Sequence, residues 1–321
     1  MSDAALSPPA VVRRAPRGSA IAKVFEALCF SAATALLAAL TGLLISLLIG
    51  GWPALQKFGF AFLTTKTWNP VTDVYGAAGP IVGTLVTAAV ALAIALPIAG
   101  GVAFFLTELC PAPLRQPIGT AVELLAGIPS IVYGMWGLFV FAPMFSKYVQ
   151  MPLMMAAKPG SLLETLTVGV PNGSGILSAS IILAIMILPF MAATLRELLL
   201  TVPATVRESA YGLGATTAEV VMSVTLPYVR TGAIGAVMLG LGRALGETMA
   251  VTFIIGNSHG FPKSLFDSGS TIASTIANEF TEASTPMHTS ALIALGLVLF
   301  VITFAVLGLA RLMLRVQGTR L

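Results

Sequence analysis

The chain has 321 residues, of which 57% are hydrophobic and 9% charged, with a net charge of +4. Soluble proteins carry about 25% charged residues, so this composition excludes a water-soluble enzyme, a nucleic-acid binder and a disordered chain. Two cysteines and two histidines leave no material for a disulfide scaffold, a cysteine zinc cluster or most histidine-built metal sites, and no cofactor is expected.

Long uncharged stretches organise the rest. A spanning helix needs about 20 mostly apolar residues. The apolar runs place six such helices near 28–50, 80–106, 121–145, 176–200, 231–256 and 289–312. None shows the polar alternation of barrel strands, so the fold class expected is an all-α, polytopic membrane protein. Pro97, Pro129 and Pro189 fall inside spans, which membrane helices tolerate when neighbours satisfy the freed carbonyls. In the third span Pro129 frees the Leu125 carbonyl. Residues 1–27 read as a cytoplasmic tail, 28–315 as the membrane domain and 316–321 as a second cytoplasmic tail. The first span is too long for a signal-peptide core and no small-residue cleavage site follows it, so it is expected to be retained.

Lys and Arg set the orientation. Eleven fall in the tails and in the loops after the second and fourth spans, and five in the alternate loops. The basic side is expected to be cytoplasmic, with both termini inside. His259 and His288 then fall in outer loops and read as surface residues. Segment Phe58–Pro70 reads either as a connector with belt aromatics or as a docking surface, and the alternatives remain open.

Two segments carry mechanism. The first is the loop after the fourth span, 201–230 in its central part. It contains Glu208-Ser209-Ala210-Tyr211-Gly212-Leu213-Gly214 and then Val224-Thr225-Leu226-Pro227. It reads as a short helix opened by Glu208, a turn near Gly212 and Gly214, and a second helix stopped before Pro227. Such a projecting helix suits a partner's groove; the plain alternative is an amphipathic connector.

The second segment is Gly240–Ala250 in the fifth span, which holds Arg243 and Glu247 at a spacing of four. On one continuous helix the two lie about 40° apart on a face of small residues and can pair. A lone Arg at mid-membrane depth costs roughly 2.5–3.5 kcal/mol on insertion scales, and intramembrane charges usually mark a pathway. The alternative is an ion pair that locks two helices. A guanidinium matches an oxyanion such as phosphate in bidentate fashion. Glu247 would neutralise Arg243 between cycles, or accept a hydrogen bond from a protonated anion. In the third span, Glu123 reads as a snorkelling residue or a gate partner for Arg243, and Ser130 and Tyr133 as pathway-lining or packing residues.

The spacing Glu208, Ala210, Gly214, Val224, Leu226, Pro227 resembles the EAA loop of bacterial ABC importer permeases. With ELLAGIPSIVYG and GLGRALGETMA, the chain is similar to the permeases of phosphate-specific ABC importers over most of 28–315. The resemblance implies an ABC type I importer permease architecture and a subunit without catalysis of its own. It assigns Glu208, Ser209, Ala210, Tyr211, Gly214, Leu226 and Pro227 to ATPase coupling, and Arg243, Glu247, Glu123 and Ser130 to the substrate pathway. The partners it implies are a PstA-like permease in a heterodimer, two copies of a PstB-like ATPase, a PstS-like phosphate-binding protein, and the bilayer of the bacterial inner membrane. A permease for another oxyanion, such as sulfate, molybdate or phosphonate, is the alternative. The chain has no GxxxxGK[ST] motif, so ATP would be hydrolysed by another chain.

Overall fold

The computed structural model describes residues 20–158 and 160–318. The outermost parts of both expected tails, with Arg13, Arg14, Arg17 and Arg320, lie outside the described residues. Among those described, every regular element is helical, and an isolated antiparallel bridge joins Asn69 to Val74.

Helix α1 (Ala20–Phe58) is longer than the expected 28–50 span and passes through Pro53. Its part up to Ile49 forms a unit of its own. Leu28, Phe30, Leu36, Leu37 and Leu43 are exposed along it, as suits a helix solvated by lipid. The second unit runs from Gly50 to Leu321. It begins with the end of α1, the short α2 (Ala61–Thr64) and α3 (Ala78–Phe104), which a π-helical turn extends over Phe105–Leu109. Then come α4 (Ala112–Ala126) and α5 (Ser130–Trp136), which continues through two π-turns as α6 (Ala142–Phe145) and α7 (Met151–Ala156). After α8 (Leu162–Thr167), helix α9 (Ile176–Leu200) matches the fourth expected span. The sequence continues through α10 (Ala204–Gly212), α11 (Thr217–Val220), α12 (Leu226–Leu245), α13 (Met249–Ile254), α14 (Ile272–Glu279) and α15 (Pro286–Gly318).

Among the described residues, five helical runs are long and apolar enough to cross a membrane, and a sixth crossing follows if the bent pair Ala112–Ala126 and Ser130–Ala156 is one span. The third expected span is therefore not a continuous helix over 121–145. The chain turns by 86° at Gly127-Ile128-Pro129, because the residue before a proline is pushed out of the α region and the proline has no N–H to give. The Leu125 carbonyl freed there accepts from the Tyr133 hydroxyl (3.0 Å) and from the Ile128 amide (3.3 Å).

The bundle is built around α9. Ala179, Leu183, Ile187, Met191 and Ala192 are fully buried on it. Along it lies α3, whose buried stripe Ala88, Ala91, Ala95, Ala99 and Ala103 repeats every three to four residues. Small side chains at that period let two backbones approach closely, which is how membrane helices gain packing where lipid supplies no hydrophobic drive.

A second core occupies one end of the bundle, where Ala54, Phe62, Trp68, Tyr75, Ile272, Leu292 and Leu295 are buried together. This is the Trp68 end; the opposite end, where α3 and α9 finish and α10 projects, is the α10 end. The expectation that His288 is a surface residue fails here. Its side chain is buried, stacks on the Tyr75 ring at 5.4 Å and lies 2.7 Å from Glu279 Oε2. Trp68 Nε1 donates to the same oxygen at 2.7 Å. His259, about half exposed, has Nδ1 at 3.2 Å from Glu279 Oε1, out of line for a hydrogen bond. Apolar cover over a carboxylate demands such partners.

Candidate functional site

The charged stretch of the fifth span does not lie on a single helix. Helix α12 ends at Leu245, Gly246-Glu247-Thr248 is irregular, and α13 begins at Met249. Glu247 Oε1 accepts from the Ala250 amide at 3.1 Å, so the carboxylate caps α13. A side chain that satisfies an amide at a helix start competes with the helical ladder, and Gly246 lowers the cost of leaving it. The expected Arg243–Glu247 face is thereby lost. Arg243 is in no ion pair among the described residues.

Arg243 instead occupies the last turn of α12, where the helix dipole favours a cation. Its guanidinium carbon sits 5.8 Å from the centroid of Phe190 on α9, within the range of a cation–π contact. Phe190 is near the middle of α9, so the cation lies level with the middle of the bundle's central helix. Two broken helices meet here. A Cβ on Gly134 would come within 3.0 Å of the Ala250 Cα and 3.1 Å of the Met249 carbonyl, so the first turns after both breaks are packed backbone to backbone. Irregular backbone inside a membrane is tolerated where it is buried in protein or lines a cavity. Ser130, half buried, opens α5 at the first break.

Glu123 stands apart from this cluster. It lies on α4 and pairs with Arg196 of α9 at 2.8 Å, and Arg196 also reaches Glu197 at 3.2 Å. A Cβ on Gly119 would sit 3.0 Å from the Arg196 guanidinium carbon, so the absent side chain makes room for the cation.

At the α10 end, the helix expected to open at Glu208 opens four residues earlier, with Pro203 before its first residue. Proline is preorganised for a helix start. Helix α10 buries none of its residues, and Tyr211 and Leu213 are exposed on it and beyond it. Ser209 Oγ donates to the Thr205 carbonyl at 2.7 Å. Gly214 has φ +88°, a conformation only glycine adopts freely, and its amide bonds to Tyr211 O at 2.9 Å while Ala215 N reaches Ala210 O at 3.2 Å. Together these close the helix. Thr216 and Glu219 form a capping box that starts α11.

The second helix is not stopped before Pro227. It runs on through Leu226 and Pro227 to Leu245, because the preceding turn, Val221–Thr225, widens to a π-helix. That widening accommodates a residue without an N–H. The sequence reading also missed Glu108, in the π-turn after α3, whose carboxylate holds Arg207 of α10 at 2.7 Å. A charged residue just past the apolar run was the available signal.

Residues 102–315 match the family model of the binding-protein-dependent transport system inner membrane component. The chain belongs to that family. The permease is 56% identical to the phosphate transport system permease protein PstC of Mesorhizobium japonicum, over 91% of this chain and 89% of that protein. It is 54% identical to the PstC of Pasteurella multocida, over 86% of each, and 40% identical to PstC 1 of Mycobacterium tuberculosis, over 82% of this chain and 83% of that one. Among solved structures it resembles a bacterial alginate ABC transporter in complex with an alginate pentasaccharide-bound periplasmic protein, with TM-score 0.59 and 16% identity over 90% of this chain and 94% of that one. It also resembles the inward-facing MetNI methionine ABC transporter, with TM-score 0.52 and 16% identity over 73% and 91%. The fold is thus that of an ABC importer permease, in a multi-pass inner-membrane protein. The matched region contains the Arg243 cluster, the α10 loop and both breaks; α1 lies before it.

Proposed function

We propose that this permease is the membrane subunit through which an ATP-driven importer moves inorganic phosphate. The observation that carries the reading is identity above half, across about nine-tenths of both chains, with a phosphate transport permease. ATP is hydrolysed by a separate subunit that binds α10. The α10 end and both termini face the cytosol, and the Trp68 end faces outward toward a phosphate-binding protein. A second, PstA-like permease completes the membrane pore, and two copies of a PstB-like ATPase drive it.

In this reading Arg243 contacts phosphate during passage. It supplies a positive group level with the middle of the bundle, where an unpaired anion would otherwise pay many kcal/mol of desolvation. The Phe190 ring lies 5.8 Å from the guanidinium carbon, and the N–H groups, in no ion pair among the described residues, are offered to oxyanion oxygens. Glu247 uses one oxygen to cap α13; the other has no partner among the described residues and accepts from the acidic hydroxyl of hydrogenphosphate. Sulfate has no such proton to donate. Ser130 and Tyr133 line the same corner. Glu123, held by Arg196, acts at the inner mouth and positions α4.

The test is uptake in vesicles that carry the assembled importer. Arg243→Gln abolishes phosphate uptake while subunit assembly and binding by the external protein persist, and Arg243→Lys rescues poorly because a point charge loses the bidentate geometry. Wild-type uptake in Arg243→Gln would overturn the assignment. Equal uptake of labelled sulfate by the wild-type importer would overturn phosphate as its substrate.

A further inference from the structure

We propose that the Glu108–Arg207 ion pair is the strut by which movement of α10 reaches the transport pathway, with Glu108 and Arg207 as positioning residues for ATP-driven import. The proposal deepens the reading of α10 as the ATPase-coupling helix and rests on it.

Helix α10 is loosely attached to its own chain: none of its residues is buried. The Arg207 side chain is 21% exposed and ends 2.7 Å from Glu108 Oε1, on a carboxylate itself 8% exposed. The pair joins two elements far apart in sequence. Glu108 belongs to the π-turn Phe105–Leu109 that prolongs α3. That turn is anchored: the Cys110 amide bonds to Phe105 O at 2.8 Å, and Thr107 Oγ1 donates to Ala103 O at 3.1 Å. A pull on Arg207 is therefore transmitted to α3 as a body and not dissipated in a slack loop.

The route continues through contacts already described. Helix α3 lies along α9 through its alanine stripe, α9 carries Phe190, and the Phe190 ring meets Arg243. Densely packed elements move as bodies rather than deform locally. A charge pair suits the first link better than an apolar contact, because it holds direction while α10 rotates, and breaking it leaves an uncompensated charge in a poorly solvated place.

The experiment uses the assembled importer in vesicles, with phosphate uptake and ATP hydrolysis read in parallel. Glu108→Gln lowers uptake about tenfold or more, in the range of ordinary coupling energies, while hydrolysis persists and the two become uncoupled. Glu108→Asp keeps most uptake. Exchange of the charges, Glu108→Arg with Arg207→Glu, restores it. Neutralising both, Glu108→Gln with Arg207→Gln, leaves the importer assembled and does not restore coupled uptake. Near wild-type uptake in Glu108→Gln or in the doubly neutral variant would reduce the pair to packing and overturn the strut, as would a charge exchange that assembles and does not transport. Gly214→Asp separates the two readings. If it leaves ATPase association and uptake intact, the coupling assignment of α10 itself fails; if it abolishes both while Glu108→Gln transports normally, the strut alone fails.

Discussion

The two ends of the bundle solve opposite problems. At the Trp68 end, polar groups are drawn inward. Trp68, Tyr75, Glu279 and His288 are all buried and tied to one another, and Ser290 bridges α15 to α1 by donating to Gly50 O at 2.8 Å and accepting from Ala54 N at 3.1 Å. At the α10 end, apolar groups are left outside: Val206, Tyr211 and Leu213 are exposed on and just beyond a helix with no buried residue. A satisfied buried network rigidifies. A helix that leaves apolar side chains exposed beside its polar ones awaits a surface to cover them. The contrast teaches that one end is built to be stable in isolation and the other to be completed.

The sharpest way to break this comparison is to remove the carboxylate at the centre of the rigid end. Glu279→Ala strands the Trp68 indole N–H and leaves His288 without its acceptor. Removing one partner from a buried charged network costs about 3–5 kcal/mol. Thermal unfolding of the purified permease should fall by many degrees, more than for any substitution on α10. An unchanged midpoint would mean that the network is ornamental and the two ends differ less than their burial implies.

Gly214→Asp is the counterpart at the other end. The structure shows open space around Gly214 and places the cost in its φ of +88°. Left-handed backbone costs an ordinary residue roughly 1–2 kcal/mol, and Asp somewhat less. Stability should therefore change little, while association with the ATPase, measured by copurification, should be lost. A large drop in thermal midpoint with intact association would invert the comparison.

What the sequence made legible follows from the signals it carries. Apolar length located five spans, and α9 to the residue, because a helix buried on most sides is apolar throughout and ends where charge begins. The EAA-like spacing located α10. The helix breaks were less legible. Pro129 was visible, yet proline inside a membrane helix need only bend it; here Gly127 and the Tyr133 hydroxyl complete a sharp turn. The Arg243–Glu247 spacing promised one face, and the capping role of Glu247 took that face away. The pairings of Glu108, Glu279 and His288 were not legible for a common reason: their partners lie 9 to 211 residues away, and single-sequence periodicity carries no such pairing.

The smallest effect tests how far the rigid end excludes water. The Tyr75 hydroxyl donates to Asp73 Oδ1 at 3.1 Å, and Thr285 reaches the same oxygen at 3.3 Å. Burial, foremost, together with the Asp73 carboxylate pushes the Tyr75 hydroxyl up to about 12 from its ordinary 10.0. An acid whose folded pKa is raised binds its proton more tightly when folded. Its contribution to stability is thus fully present below pH 10 and is lost as pH rises from 10 toward 12. Tyr75→Phe removes one hydrogen bond and should cost about 1 kcal/mol at neutral pH. The decisive reading is the difference between wild type and variant as pH rises: the gap should hold steady up to pH 10 and close between pH 10 and 12, because only the wild type has a proton to lose there. A gap that stays constant through pH 12 would mean that water reaches Tyr75 and its hydroxyl titrates alike folded and unfolded, and the Trp68 end would then be as open as the α10 end.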